Sequence, residues 1–124
     1  MTLDDVYNTA ILPAYKLLPL AMASEQATQM LLAIGLQESR FVHRRQIGGP
    51  ARGFWQFERG GGVVGVLNHP SSRQHARTVA ASRNVSAEGQ AVYEALEHDD
   101  VLAAAFARLL LWTDPAPLPK LGDE

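Results

Sequence analysis

The sequence predicts a mainly α fold with a small irregular or β-hairpin segment after a central helix. Three observations point there. Apolar residues recur at helical spacing over residues 24–41 and 101–112. Residues of capping type (Thr2, Ser24, Ser86 and Asp99 or Asp100) stand where the helical stretches begin. Between them Gly48-Gly49-Pro50, Gly53 and Gly60-Gly61-Gly62 break the periodicity around an aromatic segment, Phe54-Trp55-Gln56-Phe57.

Taken in order, Thr2 and Asp5 have the Thr-x-x-acid form of a helix start. They predict a first helix over about 3–12, disturbed at Pro13 and stopped near Pro19, with a further short helical turn at 14–18. Ser24 with Glu25 opens the central helix, expected to run to about Phe41. Ala27, Met30, Leu31, Ile34 and Phe41 make its apolar stripe, and Leu32 and Leu36 add apolar surface, so it should be central and well covered. Residues 42–57 read as a tight loop or short irregular β-hairpin, and Gly60–Gly62 as a flexible linker or lid hinge. Pro70-Ser71-Ser72 precedes a helix over about 73–83, and Ser86 with Glu88 opens another over about 87–98. The last helix, 101–112, should turn Leu102, Ala105, Phe106, Leu109 and Leu110 inward. An extended, proline-rich tail, about 113–124, completes a single domain, 1–124.

Composition bounds the function classes. The 124 residues suffice for one core, and 47% hydrophobic with 19% charged residues argues against disorder. There is no cysteine, hence no disulfide framework or thiolate metal site. His43, His69, His75 and His98 lack metal-ligand spacing, and His98-Asp99-Asp100 reads as a helix cap. No metal or cofactor is expected. No stretch is long and apolar enough to span a membrane, and the acidic start, Met-Thr-Leu-Asp-Asp, reads as no signal peptide. The net charge of −2 disfavours a general pull towards nucleic acid. Yet eight of the 11 basic residues lie between Arg40 and Arg83, opposed there only by Glu58, and eight acids follow from Glu88 onward. The middle of the chain could therefore face an anionic partner.

The chemistry-bearing residue is Glu38. At helical spacing it projects into the apolar stripe between Ile34 and Phe41. Burial there would disfavour the charged carboxylate, raise its pKa and suit it to donate a proton. The alternative is a Glu at a frayed helix end, reaching water or Arg45. Trp55 and Phe57 could stack on sugar rings and Gln56 could hydrogen-bond an N-acetyl or hydroxyl group, or the aromatics could be a small core under a loop.

Glu38-Ser39-Arg40-Phe41, followed by Ala51-Arg52-Gly53-Phe54-Trp55-Gln56-Phe57, resembles the lysozyme-like lytic transglycosylases, related to goose-type lysozymes. Those carry Glu-Ser-x-Phe at a helix end, then Ala-x-Gly-Leu-Met-Gln and a hydrophobic residue. The resemblance covers about a fifth of the chain tightly, and residues 100–111 are loosely similar to the family's later core helix. It implies a lysozyme-like helical domain with Glu38 as catalytic acid, Ser39 following it, and Gly53 and Gln56 lining a sugar groove. Trp55, Phe57 and Glu58 complete the expected substrate-binding set. Phe54 and Trp55 stand for the family's Leu and Met, and Glu58 where Pro is usual. The family's later Tyr-Asn-Ala-Gly segment has no counterpart, as in a divergent phage or prophage branch or a chain whose natural C-terminus extends further.

The expected partner is the peptidoglycan glycan strand, with no nucleic acid. The expected activity is cleavage of the MurNAc–GlcNAc bond by a single Glu acting as acid and then base, with Glu58 the nearest candidate for a second carboxylate. Synthesis would be cytoplasmic, with action at the periplasmic wall for a phage lysis or virion protein. The arginines of 40–59 would then meet stem-peptide carboxylates or lactyl groups of peptidoglycan, or form a solvated basic face. A non-catalytic lysozyme-like glycan-binding or virion module is the alternative, and a helical nucleic-acid-binding protein a third reading.

Overall fold

The computed structural model describes residues 1–119; the end of the expected tail, 120–124, lies outside the described residues. The chain is mainly helical, as expected. At its start Thr2 accepts the Asp5 N–H at 3.0 Å and the Asp5 carboxylate accepts the Thr2 N–H at 3.1 Å, a complete capping box. Helix α1 (Leu3–Val6) continues through a π-type turn (Tyr7–Ile11) into α2 (Leu12–Tyr15). The expected disturbance at Pro13 therefore falls before the proline. The Leu12 N–H reaches back five residues to the Tyr7 carbonyl, and Pro13 enters in the first turn of α2, where its missing donor costs little. Single-turn hydrogen bonds carry the chain on to Leu18, and a 3-10 turn (Leu20–Met22) leads to Ser24.

Helix α3 (Glu25–Glu38) is capped by Ser24, whose hydroxyl accepts the Ala27 N–H at 3.1 Å. It ends three residues before Phe41. Arg40 and Phe41 take positive φ (57° and 56°), which no helix tolerates, so the chain reverses there. The buried line of α3 is Ala27, Leu31 and Gly35, with Met30 and Ile34 only half-buried. Phe41 is buried, but as a ring folded back over Gly35 rather than as part of the helix.

Residues 42–57 form the expected irregular excursion, with two isolated antiparallel bridges, Arg45 to Arg52 and Arg52 to Phe57. Gly60–Gly62 is not a free linker. It lies in a π-type turn (Arg59–Val63) that leads into α4 (Val64–Asn68). A Cβ on Gly62 would stand 2.5 Å from Cδ1 of the Phe57 ring, so that glycine is a packing position. Helices α5 (Arg73–Ser82) and α6 (Gly89–Leu96) follow near their expected places. Asp99 caps α7 (Asp100–Trp112) by accepting the Leu102 N–H at 3.0 Å.

Helix α7, not α3, is the centre of the fold. Every residue from Leu102 to Arg108, and Leu109 after it, is buried. It packs against α2, α3, α4, α5, α6 and the Tyr7–Ile11 turn. A run of three alanines, Ala103–Ala105, lets so many partners approach one axis. Leu102, Ala105, Phe106 and Leu109 point inward as expected, whereas Leu110 is exposed. No helix among the described residues is long and apolar enough to cross a membrane.

Candidate active site

The two halves of the 36–59 stretch are brought together by their aromatic residues. The Phe41 ring meets Phe54 edge-on at 5.4 Å and Trp55 at 5.6 Å between centroids. Ser39 fixes the chain reversal between them: its hydroxyl donates to the Gly35 carbonyl at 3.2 Å and accepts the Phe41 N–H at 3.1 Å. Ser39 is thus a buried cap of α3, not a groove residue. Gly53 is also buried. It has φ of 78°, and a Cβ there would lie 2.9 Å from the Leu96 carbonyl oxygen, so its role is to turn the chain tightly against α6.

Trp55 and Phe57 do not present their rings. Trp55 is 5% exposed and donates its indole N–H to the Leu31 carbonyl at 2.8 Å. Phe57 is 4% exposed and packs edge-on against Phe106 of α7, 6.5 Å away. Both rings are mostly core, as in the small-core alternative, and each also borders the cavity beside Gln56. Gln56 remains half-buried, at φ of 56°, with its amide N–H donating to the Gly53 carbonyl at 2.8 Å. Glu58 is exposed at the start of the next turn. Gln56 and Glu58 share a cavity of about 180 Å³ with Trp55, Phe57, Gly61, Gly62 and Leu110. That is below the roughly 300–1,000 Å³ of ordinary ligand pockets, so by itself it takes one small group.

Glu38 corrects the stripe expectation. It is the last residue of α3 and it is exposed, as are Leu36 and Gln37 beside it. The chain turns away at Ser39, and Phe41 folds onto Gly35 instead of covering the final turn. The apolar wall that would have desolvated Glu38 is therefore missing, and the side chain meets water, as the alternative allowed. Arg45 does not reach it, being paired with Glu97 at 2.9 Å.

That pairing belongs to a wider pattern. Arg44 holds Asp100 through two hydrogen bonds, at 2.8 and 2.9 Å; Arg52 lies 3.5 Å from Glu97, and Arg83 pairs with Asp99 at 2.9 Å. The hydrogen bond from Arg45 holds the Glu97 carboxyl below its ordinary range, helped by the charges of Arg45, His98 and Arg52. Half of the basic middle of the chain thus pairs with its own acidic C-terminal half, while Arg40, Arg59, Arg73 and Arg77 stay exposed without an ion pair among the described residues. The Arg44, Arg45 and Arg52 pairs pin the 43–52 loop onto the α6–α7 corner, and Arg83 ties the end of α5 to the same corner. The Tyr93 hydroxyl donates to the Pro50 carbonyl in the same place.

Sequence reasoning missed Gly35. Its signal was a glycine in a helix interior, which costs about 1 kcal/mol against alanine and needs a packing reason. The reason is the Phe41 ring, which occupies the space where a Cβ would sit.

Backbone strain is concentrated in this region. Of the described non-glycine residues with positive φ (Arg40, Phe41, Gln56 and Asn84), all but Asn84 belong to the two motif halves. Such conformations cost on the order of 1–3 kcal/mol each and persist where the surrounding structure over-determines the backbone, here the packing of Phe41 on Gly35. The arrangement sets an exposed carboxyl, Glu38, at the start of a reversal that packs through Phe41 against Phe54 and Trp55, whereas Gln56 and Glu58 line a small cavity whose wall does not include Glu38. Compared with known proteins, the chain matches no protein-family model, none of the curated proteins and none of the solved structures.

Proposed function

We propose that this chain is a peptidoglycan-cleaving muramidase of the lytic transglycosylase type, with Glu38 as general acid and base. The observation that carries the reading is an exposed carboxyl at a helix end, followed at once by a strained reversal packed against the Gln56 turn. Glu38 would protonate the glycosidic oxygen of the MurNAc–GlcNAc bond as that bond breaks. The resulting carboxylate would then take the proton of the MurNAc C6 hydroxyl while its oxygen attacks C1. A 1,6-anhydro ring closes, and the acid is regenerated with no second carboxylate. Gln56 and Glu58 would supply polar contacts from the small cavity that they line, whose wall does not include Glu38. On this reading the protein acts at the periplasmic wall. The Glu38→Gln variant should fold as the parent does and lose clearing of purified cell walls; equal clearing by both would end the proposal.

A second reading draws on the buried rings and the open Glu38. A lysozyme-like module that binds glycan without cleaving it needs neither a desolvated acid nor stacking faces. Retention on insoluble peptidoglycan with no soluble product would favour it. The nucleic-acid reading loses half of its basic block, because Arg44, Arg45, Arg52 and Arg83 are paired internally, while Arg40, Arg59, Arg73 and Arg77 are exposed without an ion pair among the described residues.

A further inference from the structure

Arg108 is a buried cation without an anionic partner among the described residues. It sits on α7, 3% exposed, and its Nε–H donates to the Met22 carbonyl at 2.7 Å. Among the described residues no carboxylate lies within ion-pair distance of it. Its terminal nitrogens have no protein acceptor there, yet no buried side-chain nitrogen is left unsatisfied. They therefore reach an open surface. That surface is a cavity of about 560 Å³ between the start of α3 and the end of α7, within the ordinary range for small-molecule pockets.

The wall of this cavity narrows the chemistry. Ser24 and Gln26, from the first turn of α3, bring the positive end of that helix to one side. Trp112, with its ring centroid 5.6 Å from the Arg108 guanidinium carbon, and Leu118 supply apolar faces. Asp114 is the acid on the wall, with one oxygen accepting the Ala116 N–H at 2.9 Å. A nearby carboxylate penalises each further negative charge, which disfavours a phosphate of charge near −2 more than a singly charged carboxylate. The guanidinium fork matches the two oxygens of a carboxylate. Burial also draws the guanidinium pKa below its ordinary value, the mark of a charge lacking compensation.

We propose that Arg108 forms the anchor of a binding site for a small carboxylate ligand with an apolar body, seated between the α3 start and Trp112. The site is separate from Glu38, and the inference does not depend on the muramidase reading.

A two-dimensional NMR titration of the full chain tests it, following the Arg108 Nε–H and Trp112 indole N–H signals. The probes are 3-phenylpropionate, its neutral amide and inorganic phosphate. Saturable shifts of both signals with the carboxylate are expected, with binding weaker by about tenfold or more for the amide, the usual loss when a charge-assisted contact goes. Phosphate should bind more weakly than the carboxylate. Arg108→Gln should abolish the carboxylate preference. Trp112→Ala, at a half-exposed rim position, should fold and weaken binding severalfold even if Arg108→Gln does not fold. No saturable shift, equal binding of acid and amide, or stronger binding of phosphate would overturn the proposal.

Discussion

The Trp55 indole donates to the Leu31 carbonyl across 2.8 Å, tying the aromatic turn to the middle of α3. This bond decides what Trp55 is for. A ring 5% exposed and anchored to a helix carbonyl holds the two motif halves together, and only a little of it borders the cavity beside Gln56. Trp55→Ala should cost about 3–5 kcal/mol of unfolding free energy, as expected for emptying a buried Trp site. Trp55→Phe should cost less, and where folded should bind glycan as the parent does. Urea denaturation and a peptidoglycan pull-down check the pair; normal stability with lost binding would restore a stacking role.

Gly35 and Phe41 form a size-matched pair. Gly35→Ala improves helix propensity by about 1 kcal/mol, yet should destabilise by about 1–3 kcal/mol, because the new methyl falls on the Phe41 ring. Combining it with Phe41→Leu should cost less than the sum of the two single changes. Thermal or urea unfolding of the four proteins gives the coupling, and strict additivity would contradict the packing described.

Arg40 is exposed, has φ of 57° and makes no side-chain hydrogen bond among the described residues. Arg40→Gly should therefore leave the fold intact and change stability by no more than about 1 kcal/mol, in the stabilising direction, by removing left-handed strain. A loss of more than that on urea denaturation would show that the side chain has a structural partner.

The loop tether should respond to acid. The folded Glu97 carboxyl is held below its ordinary value of 4.5, chiefly by the hydrogen bond from Arg45. Its contribution is therefore complete above that value and is lost as pH falls through the lower folded value. Backbone NMR signals of residues 44–52 should shift together in that window, and Glu97→Gln should show the released state already at neutral pH. Unchanged loop signals in Glu97→Gln would mean that Arg44–Asp100 and the Tyr93 bond suffice alone.

Much of the helical frame was legible in the sequence because caps are local. Thr2 with Asp5, Ser24 and Asp99 each satisfy an N–H within three residues, so chain order is enough to see them. The end of α3 was not legible. It is set by positive φ at Arg40 and Phe41, which neither residue type signals and which tertiary packing of Phe41 on Gly35 enforces. The same blind spot misplaced Glu38 and the two rings. Periodicity gives an angle around the helix, but exposure depends on which element stands opposite. For the last turn of α3 none does; for Trp55 and Phe57 it is α3 and α7. The charge asymmetry was visible, while its resolution into internal pairs required knowing that the 43–52 loop folds onto the α6–α7 corner.

The central proposal, one acid at Glu38 closing a 1,6-anhydro ring, is tested most directly by mass spectrometry of purified peptidoglycan incubated with the protein. The predicted result is soluble muropeptides with 1,6-anhydro-MurNAc ends from the parent and none from Glu38→Gln. Reducing ends instead, products that persist in Glu38→Gln, or no products at all from the folded parent would contradict it.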